Sequence, residues 1–267
     1  MPETMKRGEK AGNSAGKKAA PRKGDIPPTK ERILDAAERL FVRYGYKGVS
    51  MRLLTRESKV NLGAVHYHFG GMESVLRALF EKHIVPLNQE RHELLDKCLA
   101  EEADTYTSVR NLIEAYIRPS LRYPASSKPP KSLFARLQAQ LSVDPSPEVR
   151  RVIDRGYDEI GTRFARMLRA HCPHLADHEF FWRLNCLYGT MFYTQADTGR
   201  TQKIAELMGV EFDQTDRADD ITLIAGFLAS GFLAPAVDTS TSPAATAKSQ
   251  SGKSPSGKSS SGNAKGK

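Results

Sequence analysis

The stretch Ser50–Phe69 restricts this chain more than any other part of its 267 residues. It reads as two short helices joined by a tight turn. Ser50 is placed to N-cap the first helix, its hydroxyl accepting from a backbone N–H that would otherwise have no partner. Leu53 and Leu54 carry that helix for about two turns, and Lys59-Val60-Asn61 then breaks the pattern. Val60 is an apolar plug in the turn, and Asn61 is a good N-cap for a second helix. The second helix carries Leu62 and Val65 on its inner face and closes at Phe69. Gly63, Ala64, His66 and Tyr67 are left outside.

A helical hairpin of this kind can simply pack inside an all-α protein. A core helix, however, would carry larger side chains than Gly63 and Ala64. Small residues instead let a helix approach a surface closely, and His66 and Tyr67 add polar tips, as a helix lying in a major groove requires.

The run Val65–Leu76 is Val-His-Tyr-His-Phe-Gly-Gly-Met-Glu-Ser-Val-Leu. Upstream lie Lys-Glu-Arg-Ile-Leu-Asp-Ala-Ala-Glu-Arg-Leu-Phe at 30–41 and then Tyr44-Gly45-Tyr46. Together these resemble the TetR family of transcriptional repressors over residues 27–87. The resemblance implies a three-helix DNA-binding domain with its helix-turn-helix at 50–69, followed by a long connecting helix. It also implies DNA contacts from Ser50, Arg52, Asn61, Leu62, Gly63, Ala64, His66, Tyr67 and His68, with Tyr67 and His68 on the DNA backbone. Two positions depart from the family pattern. Lys59 stands where the turn glycine is usual, so a non-glycine residue is expected at positive φ. Met72 stands where a phosphate-contacting lysine is frequent.

Charge separates the ends from the body. Residues 1–30 carry a net charge of +5 and residues 238–267 a net +4, so the segment 31–237 is neutral and the whole +9 lies in the tails. Residues 29–70 nonetheless hold eight Lys/Arg against four acids, which suits phosphate neutralisation at one face. The expected organisation is therefore a disordered basic tail at 1–26, the DNA-binding domain at 27–87, a ligand-binding and dimerisation domain at 88–237, and a Ser/Gly/Lys tail at 238–267. The lysine-rich tails leave an architectural, DNA-compacting protein with little sequence preference as the alternative reading. Cys98, Cys172 and Cys186 show no paired spacing and fit reduced thiols. The longest apolar stretch, Ile221–Pro235, is shorter than the roughly 20 residues of a spanning helix. The expected place is the cytoplasm, on the nucleoid, without membrane contact.

Apolar residues recur at spacings of three and four throughout the body, and no run alternates as a strand does, so the fold class is all-α. Thr29 is the expected N-cap of the first helix and Gly45 its stop. Pro86 should kink or end the long helix that follows Gly70-Gly71. Later helices are expected around Leu112–Ile117, Leu133–Leu141, Pro147–Leu168, His178–Asp197 and Ile221–Leu233.

His171, Cys172, His174, Asp177 and His178 are ligand-capable residue types, but their spacing matches no strong template and no metal is assigned. Nucleophile-elbow and phosphate-loop motifs are missing from the sequence, so neither an enzyme nor a cofactor is expected. The TetR resemblance implies an apolar ligand cavity, for which Phe134, Phe164, Trp182, Tyr188, Met191 and Phe192 are the candidates. It also implies a homodimer built from two helices of each subunit, with Leu184, Leu187, Tyr188, Gly226, Phe227, Ala229 and Ser230 at the interface. Asn61–Gly70 and the region from Phe134 to Asp144 are further similar to the PsrA-like branch. That similarity implies a double-stranded operator and an apolar or amphipathic effector such as a fatty acid or acyl-CoA.

Overall fold

The computed structural model describes residues 28–122, 133–196, 198–212 and 217–238. The two tails, the Ser/Pro-rich segment after Pro124 and Asp197 lie outside the described residues. Within them the chain is helical, without strands. The helices are α1 Thr29–Tyr44, α2 Met51–Ser58, α3 Leu62–Phe69, α4 Met72–Ala100, α5 Thr105–Leu121, α6 Leu133–Ser142, α7 Pro147–Ala170, α8 Asp177–Ala196, α9 Arg200–Leu207 and α10 Arg217–Leu233.

Local signals set most helix ends. Gly45 at φ 68° stops α1, and Asp104 caps α5 by accepting from the Tyr106 and Thr107 amides. Thr29 is not a cap; Pro28 takes the N-cap position and α1 starts without a side-chain cap. Pro86 neither ends nor interrupts α4, which runs through it for 29 residues. Pro86 and Lys82 are both exposed. The Lys82 carbonyl that loses its helical donor can therefore be hydrated, while Ile84, Arg91 and Leu95 hold the other face in the interior. Pro119 similarly lies inside α5. Helix α9 has no counterpart among the expected elements, because none of its residues is buried to mark a periodic face.

Two apolar clusters form. One packs α1, α2 and α3 on the start of α4 through Phe41, Leu54, Val65, Phe69 and Leu76. It is completed by Phe134, Leu137 and Leu141 of α6 and by Val149 and Val152 of α7. The other is centred on α5, against Phe164, Leu187, Ala225 and Phe232. Each fully buried Leu or Phe contributes about 1.5–3 kcal/mol relative to exposure, so neither cluster is dispensable. The expected boundary at 87/88 thus falls in the middle of one continuous helix. The N-terminal helices also draw part of their core from residues beyond it.

Contacts across that boundary are specific. The Phe134 ring stacks on His83, centroids 4.3 Å apart and planes at 15°. Gln140 Nε2 donates to the Val42 carbonyl at 3.0 Å, and Arg151 pairs with Glu73 at 2.9 Å. Such links tie the posture of α1 and α4 to α6 and α7.

Candidate nucleic-acid interface and ligand cavity

The helix-turn-helix is built by its own termini. Ser50 Oγ accepts from the Leu53 amide at 3.2 Å, and Asn61 Oδ1 accepts from the Ala64 amide at 2.7 Å. At the end of α2, Lys59 is left-handed, with φ 54° and ψ 44°. Its N–H donates to Arg56 O and the Val60 N–H to Thr55 O, the paired bonds of a Schellman motif with lysine in the glycine position. Arg32, from α1, donates to the Ser58 carbonyl at 2.9 Å and also to the Lys59 carbonyl. This second anchor, which a reading of the turn alone misses, holds α2 and its turn onto α1.

Val65 and Phe69 face the core, whereas Asn61, Gly63, His66, Tyr67 and His68 are exposed and Ala64 is half-buried. Tyr67 is 86% exposed, with its ring edge-on to His68. Leu62 is not on the inner face. It is 47% exposed and takes no part in the N-terminal cluster. His66 Nδ1 lies 2.8 Å from the Gly70 carbonyl. That nitrogen must carry the proton to bond there, which leaves Nε2 of the neutral ring as an acceptor. Arg52 and Arg56 are exposed on α2, and Glu57 is engaged by Arg39 at 3.4 Å. Met72 is half-buried and packs against the N-terminal cluster. The exposed side of α2–α3 thus combines cations, neutral hydrogen-bonding groups and a near-bare helix start, the set that positions on phosphates while edges are read in a groove.

Two family models match this architecture. The model for bacterial regulatory proteins of the tetR family matches residues 33–79, and that for the tetracyclin repressor-like C-terminal domain matches residues 114–231. The chain belongs to the TetR family. It is a DNA-binding transcriptional regulator and not an enzyme.

Curated relatives match over about a fifth of this chain. The transcriptional regulator SrpR of Pseudomonas putida is 37% identical over 59 residues, 22% of this chain and 28% of that protein. The repressor AcnR of Corynebacterium glutamicum is 37% identical over 57 residues, 21% of this chain and 30% of its own length. The chain therefore matches under a third of the length of either relative. Solved structures extend the likeness in fold alone. The fatty acid degradation regulator FadR of Bacillus halodurans superimposes with a TM-score of 0.51 at 15% identity, covering 78% of this chain and 98% of that one. GusR of Salmonella enterica gives 0.51 at 18% identity, covering 77% and 95%.

In the C-terminal half, α5, α7 and α8 enclose a depression of about 360 Å³. Tyr188, Met191 and Phe192, three of the six candidates, line it together with Tyr116, Tyr157 and Gly161. The other three candidates lie elsewhere. Phe164 is solid core, stacked on Tyr116 at 4.1 Å. Phe134 belongs to the N-terminal cluster because α6 sits beneath the DNA-binding helices. Trp182 is 58% exposed; six residues before Tyr188, it is turned about 120° away around the helix. A larger depression of about 640 Å³ at the far end of α4 mixes Glu101, Glu102 and Arg166 with aliphatic residues such as Leu99, Leu112 and Met167. The smaller one has the aromatic walls that a ligand site needs.

Beside that depression lies a buried polar cluster absent from the sequence reading. Arg91 is 0% exposed; its Nε donates to the Tyr116 carbonyl at 2.8 Å, Nη1 to Asn88 Oδ1 at 3.1 Å and Nη2 to Ser120 Oγ at 2.6 Å. Gln195 donates to Gln138 Oε1 at 2.9 Å, and Gln138 bonds the Tyr157 hydroxyl. Burial pushes the Tyr157 and Tyr188 hydroxyls well above the usual tyrosine range, against the opposing pull of Arg91. Both stay protonated and able to donate.

The expected dimer residues divide by burial. Leu184, Leu187 and Ala229 are buried within their own subunit, in the α5 cluster. Tyr188 and Gly226 are half-buried, with Gly226 beside the Tyr106 hydroxyl. Phe227 and Ser230 are exposed, Phe227 by 76%. Besides Phe227, the large apolar side chains facing outward on these helices are Phe181, Trp182 and Tyr193 of α8 and Leu223 of α10. Among the described residues no His/Cys/Asp/Glu group is arranged to hold a metal, and no helix is long and apolar enough to cross a membrane. His174 contacts the Ala234 carbonyl at 3.2 Å, and Asp177 pairs with Arg169.

Proposed function

We propose that the protein is a homodimeric repressor that leaves a palindromic operator when a small apolar or amphipathic effector binds, with fatty acids and acyl-CoA among the candidates. The observation that carries this reading is the outward side of α3. Asn61, Gly63, His66 and Tyr67 project there with no large apolar side chain beyond Leu62 at its start. Asn61, His66, Tyr67 and His68 are its proposed hydrogen-bonding contacts, with Leu62, Gly63 and Ala64 at the groove and Ser50 and Arg52 on the flanking backbone. The outward aromatics of α8 and α10 supply the surface on which two subunits would meet. A two-fold dimer would set its two α3 helices about 34–36 Å apart, one DNA turn, or slightly more. The depression between α5, α7 and α8 is the effector site in this reading, joined to α3 through α4.

Selection of bound fragments from random DNA tests the proposal, with sedimentation of the complex. One palindrome preferred by about 10³ or more over bulk DNA, bound by a dimer, is the expected outcome. Binding without sequence preference would overturn it in favour of DNA compaction.

A further inference from the structure

Arg91 is the most heavily buried charge among the described residues, and no carboxylate pairs with it there. Its hydrogen-bond partners, Tyr116 O, Asn88 Oδ1 and Ser120 Oγ, are all neutral. Its guanidinium carbon lies 4.4 Å from the Tyr116 ring centroid and 5.6 Å from that of Tyr157. Nη2 also touches Met191 Sδ at 4.0 Å. Tyr116, Tyr157 and Met191 are walls of the depression, so the cation lies directly behind it. A buried charge without a counter-ion is a poor arrangement for stability alone.

Two hydroxyls converge in front of that cation. A methyl group placed on Gly161, which lines the depression, would lie 3.7 Å from the Tyr188 hydroxyl and 3.9 Å from the Tyr116 hydroxyl. The missing side chain at Gly161 therefore leaves open the space beside this hydroxyl pair, whose two members are hydrogen-bonded to each other. Gln195 Oε1, in the same buried cluster, has no hydrogen-bond partner. The rim carries the opposite sign, with Asp154 and Asp158 exposed on α7.

We propose that the effector is a monocarboxylic acid with a compact apolar body, its carboxylate accepting from the hydrogen-bonded Tyr116–Tyr188 hydroxyl pair with Arg91 as counter-charge. This rests on the reading that the depression is the effector site. Position decides between the two signs of charge. The inner cation acts through protein, where a charge interaction is about fourfold stronger than in water, while the rim acids are screened by solvent and salt. A single carboxylate inside is attracted, and a polyanionic nucleotide emerging past Asp154 and Asp158 is repelled. The free acid is thereby favoured over its coenzyme A thioester. The depression's 360 Å³ lies near the low end of the roughly 300–1,000 Å³ typical of ligand sites, which favours phenylalkanoic and medium-chain acids over long ones.

Calorimetric titration of the full chain with octanoate, phenylbutanoate, the matching alcohols and octanoyl-CoA tests this, alongside release of operator DNA. Both acids should bind about tenfold or more tighter than their alcohols, the worth of a charge-assisted hydrogen bond, and octanoate tighter than its thioester. Tyr188→Phe should weaken the acids severalfold and leave the alcohols unchanged; Arg91→Met should bring the acids down to the alcohols. If Arg91→Met does not fold, the Tyr188→Phe comparison decides. Alcohols binding as tightly as acids, a preference for octanoyl-CoA, or no binding of either acid would overturn the proposal. Gly161→Leu separates it from the reading beneath, because filling the depression must abolish binding of every compound. If Gly161→Leu leaves binding intact, the depression is not the effector site.

Discussion

Gly156 of α7 faces Phe80 of α4 so closely that a methyl group on its Cα would lie 2.6 Å from the phenyl Cε1. Phe80 is itself 1% exposed and is boxed by Phe134 and Tyr157 at centroid distances of 5.8 and 5.6 Å. The ring has nowhere to go. Beside it, Asn88 Nδ2 donates to the Gly156 carbonyl at 2.7 Å, so α4 and α7 are fastened where they are closest. Gly156→Ala gains about 0.5–1 kcal/mol of helix propensity and incurs about 1–3 kcal/mol of overpacking. The clash should win, and urea denaturation should show a net loss of about 1 kcal/mol or more.

Lys59 offers the opposite case. Its left-handed backbone carries a penalty of about 1–2 kcal/mol for a side chain with a Cβ, while the Schellman bonds need only the backbone. Lys59→Gly should stabilise the chain by up to about 1 kcal/mol after the greater freedom of unfolded glycine is subtracted. Thermal melting would register this as a higher midpoint, with the α2–α3 turn unchanged.

Tyr67 projects almost entirely into solvent, so its hydroxyl does nothing for the fold. Tyr67→Phe should weaken operator binding by about 1 kcal/mol, the net worth of one hydrogen bond, and leave the melting midpoint where it was. Quantitative binding at fixed salt checks both halves. Equal affinity would remove Tyr67 from the contact set.

Glu73 holds α4 to α7 through Arg151, and that hydrogen bond is the main cause that lowers the Glu73 carboxyl below its ordinary value. A folded-state value below the unfolded one, near about 4.3, means the contribution is present above that pH. It is lost as pH falls through the lowered folded value. The stability advantage of the parent over Glu73→Gln should therefore shrink from about pH 5 to about pH 3. Both side chains are substantially exposed, so added salt should shrink it too. An advantage that grows in acid would contradict the pairing.

Phe227 is a better probe of the dimer than Gly226. A side chain at Gly226 meets the Tyr106 hydroxyl at 3.4 Å within the same subunit, so Gly226→Arg perturbs the monomer as well. Phe227→Arg changes only an outward ring. Sedimentation should then find monomers that keep the helix content of the parent but bind the operator far more weakly. Dimers at unchanged affinity would place the interface elsewhere.

Whatever depends on neighbours along the chain could be read directly. Ser50, Asn61 and Gly45 cap or stop helices because each acts within three or four residues of itself, and the unusual φ at Lys59 follows from its place in the turn. Helical periodicity also identified α4 through α8 and the all-α class. Periodicity says that a face is covered and not what covers it. Leu184 and Leu187 were as good candidates for a partner subunit as for their own core, and only the packing of α8 on α5 assigned them inward. Trp182 and Phe134 fall outside the depression between α5, α7 and α8 because Trp182 turns outward on α8 and α6 carries Phe134 into the N-terminal cluster. Arg91 stands between Glu90 and His92 in a stretch that reads as a polar helix surface. It is the most buried cation among the described residues because α5 supplies acceptors 25 and 29 positions away while Tyr157 of α7 and Met191 of α8 close over it. Hydrogen-bond partners that distant in sequence leave no local pattern, so the ends of the helices were determined by the sequence and the sites between them by tertiary contact.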